Sequence, residues 1–252
     1  MLDILKLDAD VTQEVEKDTL GGGGGGALPS DLYSFVIKAA YFDFSKGKAM
    51  SVNLKLETDT GRRLNVTEYI TSGEAKGCKP YYEKNGQKFP LPGYAKMNTL
   101  CQLVTGKPIN ELTAEDKILK LYDFNERKET NQSKKVISEL TNQPIKAGVF
   151  KIIEDKVAKN ESFNPSLPES KTNLKYVPTG ETREVNEVAK FFNSDGKTIE
   201  EVTGGKDAAF AEEWNKAHQG KTKDKSTKSA GGATAGAPTL GNAPAAPTLN
   251  FS

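Results

Sequence analysis

From Ser30 onward the hydrophobic positions fall at every second residue. Tyr33, Phe35, Ile37 and Ala39 share one face, and the pattern continues loosely through Tyr41-Phe42-Asp43-Phe44, which predicts a strand. Ser45-Lys46-Gly47 reads as a turn. Met50, Val52, Leu54 and Leu56 then alternate with Ser51, Asn53, Lys55 and Glu57, a second strand. Asp59-Thr60-Gly61 turns the chain into a third over 62–70, with Leu64 and Val66 inward. Three consecutive strands joined by short turns make an antiparallel meander. Asn85-Gly86 is the signal of a two-residue type I′ hairpin turn. The period then lengthens: Met97, Leu100, Cys101 and Val104 recur at three and four, predicting a helix over 95–105 that Gly106 stops. Thr113-Ala114-Glu115-Asp116 resembles a helix start. Further along, the patterns predict a strand over 118–124, a short helix over 134–140, a strand over 145–153 and a loop over 159–178. A helix over 184–192 would carry Val185, Val188, Phe191 and Phe192. Another over 207–218 would place Phe210 and Trp214 four residues apart against a core.

Three strands, a helical connection and more strands give a mainly β chain with added helices. The arrangement suits a five-stranded OB-fold barrel with insertions, a β-sandwich being the alternative. The ends differ from this middle. Residues 1–26 form an acidic arm that finishes in the six glycines Gly21–Gly26, a flexible joint. Ala27-Leu28-Pro29 follows them, not the Gly-Lys-Ser/Thr of a phosphate loop. Residues 27–219 are the expected folded domain. Residues 220–252 are Lys, Ser, Gly, Ala, Pro and Thr, too polar to bury a core and expected to be disordered. At 36% hydrophobic content, the 252 residues support one core of moderate size and not two full domains.

The net charge of +1 conceals a division. Residues 1–30 carry 6 acids and 2 bases; residues 31–160 carry 22 bases and 16 acids, a surplus of 6; residues 161–220 carry 11 acids and 7 bases. A basic middle between acidic flanks suits a polyanion-binding core. The acidic arm on its hinge would then occupy the basic groove when no polyanion is bound. Cys78 and Cys101 are the two cysteines and are expected to remain thiols, and with the lone His218 they are too few for a structural zinc site. No nucleophile motif accompanies His218, and nothing in the sequence places Asp116, Asp123 and Glu126 on one face as a metal cluster, so neither an enzyme nor a cofactor is expected. No apolar run approaches a membrane span, and the N-terminus lacks a basic-then-apolar signal pattern.

The densest chemistry lies between Thr71 and Tyr94. Lys76, Lys79, Lys84 and Lys88 alternate with the rings of Tyr81, Tyr82, Phe89 and Tyr94, and glycines and prolines bend the segment repeatedly. Rings that stack on bases between ammonium groups that follow phosphates suit a flexible polyanion with exposed bases. The plainer reading is a solvated hairpin with a few core aromatics. Tyr81 and Tyr82 point to opposite faces if extended, so one suits stacking and the other packing. Arg62 and Arg63, beside the turn into the third strand, are candidates for phosphate contact or stacking on a base. Tyr41, Phe42 and Phe44 cannot all be buried on one strand, so at least one should be exposed near the groove. Tyr69 and Tyr122 are weaker candidates.

The motifs Thr71-Ser72-Gly73, Lys76-Gly77, Tyr82, Asn85-Gly86, Leu91-Pro92-Gly93-Tyr94, Asn98 and Leu100-Cys101 together resemble a family of bacteriophage single-stranded DNA-binding proteins. So do Leu121-Tyr122-Asp123, Asn186-Glu187, Phe191-Phe192 and Lys197-Thr198, and the resemblance covers roughly residues 31 to 218. It implies an OB-fold that coats single-stranded DNA during phage replication, recombination and repair in the host cell cytoplasm. It also implies a C-terminal tail that contacts replication or recombination proteins such as a polymerase, helicase or primase, here through Leu249 and Phe251. Such tails are usually acidic, whereas this one carries Lys221, Lys223, Lys225 and Lys228. A recombination mediator or strand-annealing factor would use the same groove. A structural or interaction protein would use the aromatic hairpin as a protein interface.

Overall fold

The structure, a computed structural model, describes residues 26–123, 126–167 and 170–227. The acidic arm, most of the glycine joint, and the tail tip with Leu249 and Phe251 lie outside the described residues. The predicted meander is present as β1 (Asp31–Phe44), β2 (Met50–Glu57) and β3 (Arg63–Tyr69), all antiparallel. Their inward residues Phe35, Ile37, Val52, Leu54, Leu56, Leu64 and Val66 are buried. A short ribbon, β4 (Tyr81–Lys84) and β5 (Gln87–Pro90), forms a separate two-stranded sheet. Next come α1 (Pro92–Thr105), a long hairpin of β6 (Ala114–Asp123) and β7 (Lys128–Ile137), and a second long pair, β8 (Pro144–Lys159) and β9 (Tyr176–Phe192). Two helices, α2 (Ile199–Thr203) and α3 (Phe210–His218), and a three-residue strand β10 (Thr222–Asp224) complete the chain.

The main sheet runs β9-β8-β1-β2-β3, with β7 attached to the far end of β1 and β10 to the free edge of β8. The molecule is mainly β, and the sheet is not closed into a barrel. Helix α1 packs against both β3 and β9. From it Lys96 Nζ bonds the Glu68 carboxylate on β3 and the Val188 carbonyl on β9, the latter at 2.9 Å, so one side chain ties the two strands. Met97, Leu100 and Cys101 enter the core from the same helix. A Cβ at Gly93 would lie 2.2 Å from the Tyr69 carbonyl, so only glycine lets the first turn of α1 approach the end of β3. Among the described residues no helix is long and apolar enough to cross a membrane.

Four expectations from the sequence are corrected. Residues 184–192 are strand, not helix: Val188 and Phe191 face the core together because the register shifts between Gly148 and Val149, which leaves Ala189 unpaired on β9. A bulge of this kind turns a two-residue period into a three-residue one and counterfeits a helix. Residues 134–137 are strand, with a single 3-10 turn at Ser138–Leu140; Val136 and Ile137 are both buried because this strand end is covered on both faces. Thr113-Ala114-Glu115-Asp116 leads into β6 and not into a helix, with Ala114 paired to Ile137. The chain also stays ordered past Gly220, where the composition is too polar for a core. Backbone pairing of β10 with β8 replaces burial, aided by Lys223 Nζ 3.2 Å above the Phe150 ring and a Lys225–Glu187 ion pair at 2.7 Å.

Trp214 on α3 is buried against Phe150, ring centroids 5.2 Å apart, and His218 packs on both rings. Phe210, its expected partner in the core, is 40% exposed, with its ring 6.4 Å from that of Phe192 and the Lys190 ammonium 4.8 Å above it. Thr198 and Glu201 form a capping box at α2, and the Glu201 carboxylate also accepts the backbone N–H groups of Ala209 and Phe210. These bonds, with that of Thr198, hold its pKa at about 2.

Candidate functional site

The segment after β3 is anchored before it projects. Glu74 N–H donates to the Gly47 carbonyl at 2.8 Å, and the Lys48 ammonium meets the Glu74 carboxylate at 2.6 Å, joining this loop to the β1–β2 turn. A Cβ at Gly73 would sit 2.9 Å from the same Gly47 carbonyl, so the approach requires glycine. The base of the ribbon is closed by Ser72 N–H to Lys79 O at 2.8 Å and Leu91 N–H to Pro80 O at 2.9 Å. At its tip Asn85 (φ 52°) and Gly86 (φ 76°) make the predicted type I′ turn. The ribbon is therefore short, held at its root, and exposed along both strands.

Its two faces differ. Tyr82 and Phe89 lie directly opposite each other, with ring centroids 5.7 Å apart and planes 27° from parallel. They are 44% and 38% exposed. On the other face the Lys88 and Lys79 ammonium groups lie 4.9 and 5.5 Å from the centre of the Tyr81 ring. Lys79 also approaches Glu83 at 3.9 Å, whereas Lys76, Lys84 and Lys88 make no ion pair among the described residues. Between the ribbon and the end of β3 lies a groove of about 840 Å³, lined among others by Tyr69, Ser72, Lys76, Tyr81, Tyr82 and Pro92.

The structure brings together Lys76, Lys79, Tyr81, Tyr82, Lys84, Lys88 and Phe89, seven of the ten candidate nucleic-acid contacts. Tyr94 lies in the first turn of α1 and packs on the core. Arg62 and Arg63 sit at the opposite end of β3 from Tyr69, six residues and roughly 20 Å away. There the Arg62 guanidinium donates to the Gly26 carbonyl at 2.9 Å and Arg63 pairs with Glu57 at 3.1 Å. Of the three candidate aromatics near the end of β1, Tyr41 and Phe42 are partly buried and Phe44 is exposed; burial, then the nearby Asp43 carboxylate, raises the Tyr41 pKa. Tyr69, ranked low from sequence, lines the groove and is half exposed. Its place at the end of β3, just before the aromatic segment, was the available signal. Tyr122 lies far out on the β6–β7 hairpin.

Among the described residues no three His, Cys, Asp or Glu side chains are grouped so as to hold a metal ion. Asp116 is paired with Lys135 at 3.1 Å, and Asp123 accepts the Glu126 backbone N–H at 3.2 Å. Cys78 is exposed and Cys101 buried, both free, and burial pushes the Cys101 thiol up to about 12, so it stays protonated. No protein-family model matches the chain, and no curated protein does.

Proposed function

We propose that the chain is a non-enzymatic, sequence-independent binder of single-stranded DNA, and that the β4–β5 ribbon with its groove is the binding surface. The observation that carries this reading is the exposed, near-parallel Tyr82–Phe89 pair, on a ribbon whose Lys84 and Lys88 make no ion pair among the described residues. Such rings accept any base, at about 1–3 kcal/mol per stacked base, while the ammonium groups displace counterions from the phosphates. A double helix hides its base faces and offers such rings nothing. In this reading strands β1, β2, β3, β8 and β9 are an open version of an OB-type barrel, with α1 standing where the closing strand pair would be. The resemblance to phage single-stranded DNA-binding proteins supplies the setting: coating of DNA during phage replication, recombination and repair.

Fluorescence anisotropy of a labelled thymidine oligomer, titrated at several salt concentrations beside a duplex of equal length, tests this. The expected outcome is binding to the single strand that weakens steeply with salt, with a slope of about 0.7 per phosphate contacted, and little binding to the duplex. Absent or salt-independent binding overturns the proposal and makes the ribbon a protein-docking surface.

A further inference from the structure

A second groove, of about 440 Å³, lies on the other side of the β1–β2 turn. Phe42, Phe44, Met50, Asp116, Lys134 and Lys135 line it. Phe44, the last residue of β1, is 60% exposed, although its neighbours along the strand pack on the core. The wall between the two grooves is thin. Phe44 pairs with Met50 across β1 and β2. Met50 N–H in turn donates to Thr71 Oγ1 at 2.8 Å, and its carbonyl accepts Ile70 N–H at 2.9 Å. Thr71 already lines the first groove. Two strand spacings, about 10 Å, therefore separate the backbone beneath Phe44 from that of Thr71.

The second groove shares an exposed ring with the first, but its lysines are paired with aspartates that line it too. Lys134 pairs with Asp43 at 2.8 Å and Lys135 with Asp116 at 3.1 Å. Both lysines are already answered by carboxylates, so the phosphate contact between the grooves falls to Lys46. Lys46, on the turn between the grooves, is exposed and makes no ion pair among the described residues.

We infer that the two grooves are one track for a single strand. Bases stack on Tyr82 and Phe89, the backbone crosses the β1–β2 turn over Lys46, and a further base stacks on Phe44. This rests on the single-stranded DNA reading above. It adds a second stacking site on β1 and a direction of travel, from the ribbon toward the base of the β6–β7 hairpin. A short oligomer fills the first groove alone, and a longer one reaches both.

The test compares thymidine oligomers of about 6 and about 16 nucleotides, within the range of site sizes of such domains. The readout is the ratio of their affinities for the full chain and for Phe44→Ala, with Tyr82→Ala alongside. Phe44→Ala is expected to cut the advantage of the longer oligomer about 10-fold, whereas Tyr82→Ala weakens both lengths together. Lys46→Ala should lower the salt slope by about 0.7 on the longer oligomer. If Phe44→Ala and Lys46→Ala both leave the longer oligomer at its wild-type advantage and slope, the continuous track is overturned while the ribbon site stands. If the wild-type chain binds neither length in a salt-dependent way, the parent reading falls and this inference falls with it.

Discussion

Two exposed ribbons of this molecule carry similar residues and treat them in opposite ways. In the outer part of the β8–β9 pair, Glu154 and Arg183 face each other across the strands and close an ion pair at 2.8 Å. Lys156 meets Glu181 at 2.9 Å, and Lys151, farther in, meets Glu184 at 2.7 Å. In the β4–β5 ribbon Glu83 and Lys88 also face each other. Yet Lys88 turns away and lies over the Tyr81 ring. The difference is the neighbouring aromatic: a ring face competes with a carboxylate for an exposed ammonium when both contacts are worth about 1 kcal/mol or less. Basic residues in sequence become a polyanion surface only where the fold leaves them without an acid, and Lys151, Lys156 and Arg183 are spent within their own ribbon.

The largest expected effect breaks the comparison at its rings. Tyr82→Ala combined with Phe89→Ala should weaken single-stranded DNA binding at least 10-fold, on the estimate of about 1–3 kcal/mol per stacked base. Val157→Ser with Tyr176→Ser, which removes two exposed apolar side chains from the other ribbon, should change affinity less than about 2-fold. Equal losses in an anisotropy titration would show that exposed apolar side chains matter regardless of the lysines beside them. A smaller effect separates the cations. Lys84→Ala with Lys88→Ala should flatten the plot of log affinity against log salt by about 1.4, two phosphates' worth. Lys156→Ala with Arg183→Ala should flatten it by well under about 0.7, because those cations are already paired.

The smallest effect lies at the edge of β8. Hydrogen bonds from the Ser226 side chain and backbone hold the Asp224 carboxyl below the usual carboxylate range. A depressed folded-state value stabilises β10 fully above the ordinary carboxylate pKa, and that contribution is lost as pH falls through the depressed value. Amide exchange over residues 222–227 should therefore quicken at acid pH before exchange in the β8–β9 ladder does. Protection that stays unchanged relative to the ladder would mean that backbone pairing and the Lys223–Phe150 contact hold β10 unaided.

The legible parts of this chain are those whose structure is decided within a few residues. The β1–β2–β3 meander reads directly from alternation because one face of each strand meets the core and the other meets water. Asn85-Gly86 specifies its turn because both positions need positive φ. Gly106, with φ 74°, ends α1 for the same reason. The illegible parts are those in which distant partners decide. Val185, Val188, Phe191 and Phe192 satisfy a helical spacing, and only the β8 strand beside them, with its register shift, makes them a bulged strand. Thr222–Asp224 has no apolar pattern at all and is ordered by an edge that β1 leaves open.

The site divides in the same way. That rings and lysines alternate on a turn-rich ribbon is legible along the chain, since residue type, strand alternation and turn chemistry are local properties. Tertiary structure alone decided which cations were free, since that depends on carboxylates brought from elsewhere: Arg63 is answered by Glu57, Lys48 by Glu74 and Lys134 by Asp43. It also decided that Arg62 and Arg63 stand at the far end of β3, that Tyr94 belongs to the core, and that Tyr69 and Phe44 flank the same turn region. Those are consequences of where the strands of one sheet begin and end, and no single segment carries that information.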